Sequence, residues 1–241
     1  MFDFLLRAFT HPRDYITMFN KRTLVLKEII KESENIYSFI FEIKKPFSWK
    51  AGQHGVFYFP HTKISGKTWR PFSIASSSEE GVIRIATIIK ENPSDFKRNL
   101  LLLTPGDTLI MNGPFGEFHT SKEIHQVVGI AGGIGITPFR AILKDISLGV
   151  IANIKITLIY SAITDYTYKD EIDVLIQHPS IVVVYTKTPE EVNQALDAQV
   201  QLHGNSASYF ISGSPGMIGA IKKTLKEKGI KKIVNDPFKG Y

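Results

Sequence analysis

The spacing of apolar residues divides the chain into two parts. In residues 23–121 the apolar positions form short runs rich in Val, Ile, Phe and Thr, and turn sequences such as Lys45-Pro46 and Glu80-Gly81 separate these runs. The pattern predicts strands at residues 23–31, 36–43, 56–59, 72–75, 82–88 and 108–112. A helix at residues 95–103, with Ser94 as its N-cap, interrupts them. Six strands at this spacing are typical of a closed antiparallel barrel, here of the Greek-key type.

From residue 122 apolar strands alternate with amphipathic helices. The predicted strands are residues 126–131, 154–160, 181–186, 208–212 and 232–235, and the predicted helices are residues 138–148, 168–177, 189–200 and 215–228. This alternation indicates a parallel sheet with helical crossovers, and the run Val182-Val183-Val184 indicates a sheet covered on both faces. The predicted fold is a six-stranded antiparallel β-barrel at residues 23–121 and an α/β domain at residues 122–241, after an N-terminal extension at residues 1–22.

The N-terminal extension has the spacing of a short amphipathic helix. Phe2, Leu5, Leu6 and Phe9 fall on one helical face, and basic residues lie at positions 7, 13, 21 and 22. Such a helix can lie on a membrane surface. Short amphipathic helices more often cover the core of their own domain, so we favour docking on this protein over membrane contact.

The composition excludes several kinds of site. The chain has no cysteine, so it has no disulfide, no cysteine nucleophile, no zinc–thiolate site and no cysteine-ligated iron–sulfur cluster. The seven histidines show no ligand spacing, and we expect no metal. A net charge of +6, from 29 basic and 23 acidic residues, favours acidic partners and anionic ligands. The charge is too dispersed to indicate nucleic acid.

The location of the protein is predicted from its apolar segments. No apolar run has the length of a membrane span. Residues 1–10 make a poor signal peptide, because they contain Asp3 and Arg7 and lack a small-residue cleavage site. We therefore expect a cytoplasmic protein.

A glycine-rich segment follows the first strand of the second domain. An apolar strand runs into Gly132, Gly133 and Gly135, and Thr137 and Pro138 then open a helix. Proline suits the first helical turn because its missing N–H has no intrahelical partner there. A strand, a glycine turn and a helix N-terminus together bring backbone N–H groups to a phosphate or an oxidised ring. From this segment alone, a tight structural turn is an equal alternative.

Several short motifs occur in order along the chain. They are Arg70-Pro71-Phe72-Ser73, Pro105-Gly106-Asp107, Gly113-Pro114-Phe115-Gly116-Glu117-Phe118, Gly132-Gly133-Ile134-Gly135-Ile136-Thr137-Pro138, Ser212-Gly213-Ser214-Pro215-Gly216-Met217 and Asp236-Pro237-Phe238-Lys239-Gly240-Tyr241. Each motif alone is weak evidence, but the series resembles the ferredoxin–NADP reductase superfamily over residues 23–241. The resemblance implies an FAD-binding barrel, an NAD(P)-binding domain, and electron transfer from NAD(P)H through FAD to an acceptor.

The resemblance also implies roles for residues of the barrel. Arg70, followed by Pro71, matches the arginine that pairs with the flavin pyrophosphate. Phe72 replaces the tyrosine usually found against the flavin, and Ser73 matches the serine near the reactive edge of the ring. Further implied positions, of which the last two lie at the second phosphate motif of the family, are Thr87, Ile88, Phe96 and Lys97.

In the second domain the resemblance implies positions around the nicotinamide. The implied binding residues are Gly133, Gly135, Thr137, Gly213 and Met217. Ser212 replaces the cysteine usual in this loop, and its less polarizable side chain predicts slower hydride transfer. Phe238 or Tyr241 matches a terminal ring that stacks on the flavin and moves aside for the nicotinamide. The implied catalytic residues are Ser73, Ser212 and Tyr241.

Few residues bear on the choice of nucleotide and acceptor. Lys187, after the third strand of the sheet, slightly favours NADPH over NADH as the substrate. The acidic residue usual for NAD is not evident, although Asp165 is nearby. Because the chain cannot ligate an iron–sulfur cluster, the one-electron acceptor is another molecule, such as an acidic ferredoxin or flavodoxin. The alternatives are reduction of free flavin or another small acceptor, and a non-catalytic flavin- or nucleotide-binding subunit.

Overall fold

The computed structural model describes residues 12–236, apart from the side chain of Arg13, as two compact units that divide between His119 and Thr120. The first unit contains the strands β1 (Lys21–Lys31), β2 (Ile36–Ile43), β3 (His54–Tyr58), β4 (Trp69–Ser73), β5 (Val82–Ile88) and β6 (Thr108–Phe115). The second contains β7 (Gln126–Gly132), β8 (Lys155–Ser161), β9 (Ile181–Thr186), β10 (Ser208–Ser212) and β11 (Ile233–Asn235). The first six strands pair antiparallel and the last five pair parallel, which confirms the predicted fold class.

The helices begin where the sequence provides caps. Within the described range they are α1 (Pro12–Tyr15), α2 (Asp95–Leu101), α3 (Thr137–Ser147), α4 (Lys169–Leu175), α5 (Pro189–His203) and α6 (Pro215–Glu227). The side-chain oxygens of Ser94, Thr188 and Ser214 each accept a hydrogen bond from the backbone N–H three residues later. None of these helices is long and apolar enough to cross a membrane.

The barrel closes through its two edge strands. The strand order is β4-β3-β6-β1-β2-β5, and just after β4 the backbone N–H of Ala75 donates to the carbonyl of Arg84 in β5 at 2.7 Å. Pro71 lies in β4, where a missing N–H is tolerated because the strand is at an edge of the sheet. Aromatic rings fill much of the enclosed core, including the fully buried Phe39, Phe41, Phe57 and Phe96.

The described part of the N-terminal extension packs on the end of β6. α1 leads into a 3-10 turn, Ile16–Phe19, and the buried ring of Tyr15 lies 6.1 Å from the ring of Phe115. The carboxylate of Asp14 accepts a hydrogen bond from Lys50 at 2.8 Å. Residues 12–19 therefore dock on the barrel, whereas the apolar positions 2, 5, 6 and 9 of the predicted amphipathic helix lie outside the described residues.

Strand β7 lies in the middle of the second sheet, whose order is β11-β10-β7-β8-β9. This order leaves β9 at an edge, where Val182 is 53% exposed and Val183 and Val184 are half-buried. The run Val182-Val183-Val184 is therefore only partly covered, because β9 has a neighbouring strand on one side alone, whereas the sheet itself is covered on both faces at its centre. The fully covered run is in the central strand, where Val127 and Val128 are inaccessible to solvent.

A buried ion pair connects three neighbouring strands of the barrel. Arg84 of β5 donates to the carboxylate of Glu32, just after β1, at 2.6 Å, and its Nε donates to the hydroxyl of Ser38 in β2 at 3.3 Å. The Arg84 and Glu32 side chains are only 8% and 11% exposed. Each charge is therefore neutralised chiefly by the other.

Replacing Glu32 with Gln is expected to lower the free energy of unfolding by about 3 kcal/mol, because the variant buries the Arg84 charge without its counter-ion. Chemical denaturation of the variant and the wild type measures this difference. Glu34→Gln, at an exposed acid two residues away, is the matched control and should change the stability by less than about 0.5 kcal/mol. Equal stability of all three proteins would contradict the structural role of the pair.

Candidate functional site

The parallel sheet grows in two directions from β7. After β7 the chain adds β8 and β9 on one side, and it then returns to add β10 and β11 on the other side. The loops that follow β7 and β10 therefore leave neighbouring strand ends in opposite directions, which opens a crevice at the carboxyl edge of the sheet. Ligands of α/β sheets bind at such a switch point, and the glycine-rich turn lies there.

Glycine is required at this crevice because the two loops approach each other closely. A Cβ on Gly135 would lie 2.3 Å from the carbonyl oxygen of Ser212 at the end of β10, and a Cβ on Gly132 would lie 2.2 Å from the Sδ of Met217. Gly133 has a φ of +52°, in the left-handed region that favours glycine. The fold thus brings the two predicted glycine loops together on neighbouring strands.

Thr137 begins α3 directly beside this contact. Its hydroxyl donates to the carbonyl of Ile134 at 2.6 Å, which holds the side chain against the 3-10 turn Gly133–Ile136. The N-terminus of a helix presents backbone N–H groups without intrahelical partners and the positive end of the helix dipole. This part of the crevice therefore suits a phosphate or a polarised ring.

Ser212 forms a hydrogen bond with Asp236, an acidic residue that the sequence analysis did not predict as part of the site. The Ser212 hydroxyl donates to Oδ2 of Asp236 at 3.2 Å, and both side chains are buried. The backbone N–H of Asp236 donates to the carbonyl of Ile211 at 3.0 Å. The two residues are 24 positions apart in sequence. The sequence feature that could have indicated Asp236 as a site residue is its position after the last strand, where it begins the C-terminal motif.

Four basic residues of the barrel form a cationic cluster beside β4, namely Lys67, Arg70, Lys90 and Lys97. Arg70 is buried in β4 and donates to the carbonyl of Lys67 at 2.8 Å, and Lys97 in α2 donates to the carbonyl of Ile88 at 2.8 Å. Burial lowers the pKa of Lys97, and the charges of Arg70 and Lys90 lower it further. Burial and the charge of Arg70 also lower the pKa of Lys67.

The charge balance of this cluster favours an anionic ligand. Like charges at short range repel one another, and an anion bound among them would offset that repulsion. The neighbouring acid Asp95 accepts hydrogen bonds from Arg98 at 3.1 Å and from the backbone N–H of Ser65 at 2.8 Å. The planar fork of Arg70 suits a ligand that offers two oxygens at once, such as a pyrophosphate.

Two of the predicted cofactor residues have side chains in the barrel core. The fully buried ring of Phe96 lies 5.1 Å from the ring of Phe59, and the ring of Phe72 lies 5.6 Å from the ring of Phe57. An enclosed aromatic ring offers no donor to a phosphate. The phosphate contact implied at Phe96 thus rests on its backbone N–H, and it stays a prediction.

The other predicted barrel residues lie on the two strands that close the barrel. Ser73, at the end of β4, pairs with His54 of β3. Thr87 and Ile88 end β5, where Thr87 is buried and Ile88 is partly exposed. At the other end of the chain, Phe238 and Tyr241 lie outside the described residues, so the stacking role of these rings and the catalytic role of Tyr241 stay predictions.

Known proteins with related sequences are oxidoreductases. Residues 130–223 match the family described as the oxidoreductase NAD-binding domain. The chain is 25% identical over 245 residues to NADH-cytochrome b5 reductase 1 of Coccidioides immitis, a match that covers 92% of this chain and 79% of that protein. It is 28% identical over 207 residues to one component of the Na(+)-translocating NADH-quinone reductase of Actinobacillus succinogenes, a match that covers 74% of this chain and only 51% of that protein.

A solved structure has the same two-unit architecture. The ferredoxin–NADP+ reductase from Plasmodium falciparum matches with a TM-score of 0.74 and 17% sequence identity, covering 91% of this chain and 97% of that one. The chain thus matches the oxidoreductase NAD-binding domain family over residues 130–223 and has the two-unit fold of the ferredoxin–NADP+ reductases. Its class is that of the NAD(P)H-dependent flavoprotein reductases, which use FAD and NAD(P)H.

The residues of the chain fit the phosphates of FAD and of a nicotinamide dinucleotide. FAD carries a pyrophosphate, and the cationic cluster offers the fork of Arg70 and the ammonium group of Lys97 for it. A nicotinamide dinucleotide fits the crevice at the switch point, where Gly135 leaves the backbone accessible and α3 begins. Each unit thus offers residues whose chemistry suits one nucleotide.

Replacing Gly135 with Ala is expected to lower the affinity of the reductase for its nicotinamide nucleotide and to destabilise the second unit by about 2 kcal/mol, since the added methyl group would force the backbone of Ser212 away. Thermal unfolding and nucleotide titration measure the two effects. Gly216→Ala is the matched control, because a Cβ at Gly216 meets no atom within 4 Å. Wild-type behaviour of Gly135→Ala would contradict the close contact between the loops.

Proposed function

We propose that this reductase passes electrons from NADH through FAD to an external one-electron acceptor. The observation that carries the proposal is the cationic cluster of Lys67, Arg70, Lys90 and Lys97, which suits a flavin pyrophosphate. When bound, FAD takes two electrons from the nicotinamide and releases them one at a time. The residues of the chain bind the two nucleotides, orient them and exclude water.

In this proposal the strands that close the barrel hold the flavin. The guanidinium of Arg70 binds two pyrophosphate oxygens, and Lys97 supplies a second positive charge. Ser73 would offer its hydroxyl to the reactive edge of the flavin ring as a hydrogen-bond donor or acceptor. Thr87 and Ile88 line the flavin from β5, and Pro71 and Phe72 keep β4 packed on the core.

The crevice of the second unit orients the nicotinamide in the same proposal. Thr137 and the turn at Gly135 position the ring, and Gly213 and Met217 pack against it. Ser212 donates its hydroxyl hydrogen to Asp236 at 3.2 Å, which leaves its oxygen as a hydrogen-bond acceptor. For Phe238 or Tyr241 the proposal keeps the flavin-stacking role that the resemblance implies.

NADH is the proposed electron donor, in place of the slight preference for NADPH that Lys187 suggests in the sequence. The ammonium group of Lys187 donates to the carbonyl of Thr164 and lies 4.2 Å from the centre of the Tyr166 ring. The carboxylate of Glu191 accepts from the backbone N–H of Lys187 at 2.6 Å. A carboxylate at this position disfavours a 2′-phosphate, and both relatives described above are named as NADH enzymes.

The proposed acceptor is an acidic electron-carrier protein of the ferredoxin or flavodoxin kind. The chain has no cysteine to ligate its own iron–sulfur cluster, and its charge of +6 favours encounter with an acidic partner. Its relatives are named for other acceptors, cytochrome b5 and quinone, so the acceptor is tested separately from the flavin chemistry. A cytoplasmic location, where NADH is available, is part of the proposal.

Anaerobic mixing of the FAD-loaded protein with NADH or NADPH tests the function. We expect NADH to bleach the flavin absorption band rapidly and NADPH to bleach it slowly. Turnover with an acidic carrier protein should then slow as salt is added, because screening weakens attraction between the partners. Salt-independent turnover would favour a small acceptor such as free flavin, and retained flavin that neither nucleotide bleaches would favour a non-catalytic subunit.

Replacing Arg70 with Ala is expected to weaken FAD binding by about 10- to 100-fold, because the variant loses a charge-assisted bidentate contact with the pyrophosphate. Quenching of flavin fluorescence on titration with the apoprotein measures the dissociation constant. Arg98→Ala is the matched control, since Arg98 is an exposed arginine of α2 that pairs with Asp95. Unchanged FAD affinity in Arg70→Ala would remove Arg70 from the flavin site.

A further inference from the structure

The 3-10 turn after α1 presents two large apolar side chains to solvent. Ile16 is 71% exposed and Phe19 is 80% exposed. A 3-10 helix has three residues per turn, so side chains three positions apart lie on the same face. Single exposed apolar residues are ordinary on protein surfaces. Ile16 and Phe19 are three positions apart in this turn, so both exposed side chains lie on one face of it.

The barrel holds this turn in place from the opposite side. The Thr17 hydroxyl donates to the carbonyl of Pro114, and the backbone N–H of Gly113 donates to the carbonyl of Asn20 at 3.1 Å. The preceding residue, Tyr15, is buried in the barrel. The outward direction of the apolar face therefore follows from how the turn is anchored.

Exposed lysines lie at the same end of the barrel. Lys21 begins β1 directly after the turn, and Lys44 and Lys45 follow the last residue of β2. The β1–β2 ladder places Leu24 opposite Ile43, so the residues after β2 lie beside the start of β1.

The charges at this end of the barrel are mainly positive. The guanidinium of Arg22 lies 3.7 Å from the centre of the Phe47 ring, which brings a further cation to the residues after β2. Glu42 is the exposed acid on this end of β2, and Lys50 is paired with Asp14 at 2.8 Å. Among the described residues at this end, the exposed lysines at positions 21, 44 and 45 outnumber the exposed acid Glu42, so the surroundings of the apolar face attract anions.

We propose that these five residues, Ile16, Phe19, Lys21, Lys44 and Lys45, form a docking surface for an anionic lipid bilayer, and we call them the N-terminal surface. Apolar side chains flanked by lysines suit the boundary between headgroups and acyl chains. Each lysine near an anionic leaflet adds an electrostatic contribution. The sequence that precedes this surface also combines apolar residues, at positions 2, 5, 6 and 9, with basic residues, at positions 7 and 13.

Sedimentation of the full-length, FAD-loaded protein with vesicles tests the proposal. We expect binding to phosphatidylcholine vesicles that contain phosphatidylserine and little binding to vesicles of phosphatidylcholine alone. The double variant Ile16→Ser/Phe19→Ser should weaken binding by at least about tenfold. Lys44→Glu/Lys45→Glu should weaken binding by at least about fivefold for each lysine. Added salt should weaken the binding of the wild type further.

Matched variants on the second unit control for changes in total apolarity and charge. Leu202→Ser removes an apolar side chain of α5 that is 71% exposed, as Ile16 is. Lys223→Glu/Lys226→Glu reverses two exposed lysines of α6. Both should bind vesicles as the wild type does. Equal losses in these controls, or no binding of the wild type to anionic vesicles, would overturn the proposal.

Because the chain has no cysteine, a single introduced cysteine can be labelled to measure how deeply residue 16 enters the bilayer. A nitroxide attached to an Ile16→Cys variant should become accessible to oxygen and protected from a polar relaxation agent when anionic vesicles are added. The same label on Leu202→Cys should stay in water. A label at position 16 that is already covered without lipid, or an Ile16→Ser/Phe19→Ser variant that changes the oligomeric state in sedimentation equilibrium but not vesicle binding, would show another occupant and overturn the proposal.

Discussion

The contact between Gly135 and the carbonyl oxygen of Ser212 determines how the loops are arranged at the carboxyl edge of the parallel sheet in the second unit. A Cβ at position 135 would lie 2.3 Å from that oxygen, so the two loops come this close only because residue 135 has no side chain. The contact joins the ends of β7 and β10, and it fixes where α3 begins and where Thr137 lies. The crevice therefore depends on one short-range steric constraint and on the reversal of strand order at β7.

The same crevice gives a physical reason for serine at position 212. A hydroxyl is a good hydrogen-bond donor and a thiol is a weak one. Asp236 accepts from Ser212 at 3.2 Å in a buried environment, where an unsatisfied carboxylate oxygen is costly. The serine and the acid thus form a matched pair, and the departure from the cysteine usual in the superfamily comes with a partner that suits a hydroxyl.

Two buried arginines of the barrel have opposite electrostatic surroundings. Arg84 is neutralised within the chain by Glu32 at 2.6 Å, in a pair that connects β5 to the end of β1. Arg70 lies among lysines whose pKa values its charge lowers. The first arrangement stabilises the barrel by itself, whereas the second gains most when an anion binds. This contrast distinguishes a structural arginine from one suited to a ligand.

The sequence by itself determined the local structure and the residue types at the sites. Capping residues such as Ser94 and the changes of apolar period decided where helices and strands lie, because these preferences act between residues a few positions apart. Only the tertiary structure decided that β9 is an edge strand, that the ring of Phe96 belongs to the core, and that Asp236 meets Ser212. These relations join residues distant in sequence, and they follow from strand order and side-chain packing, which local periodicity does not encode.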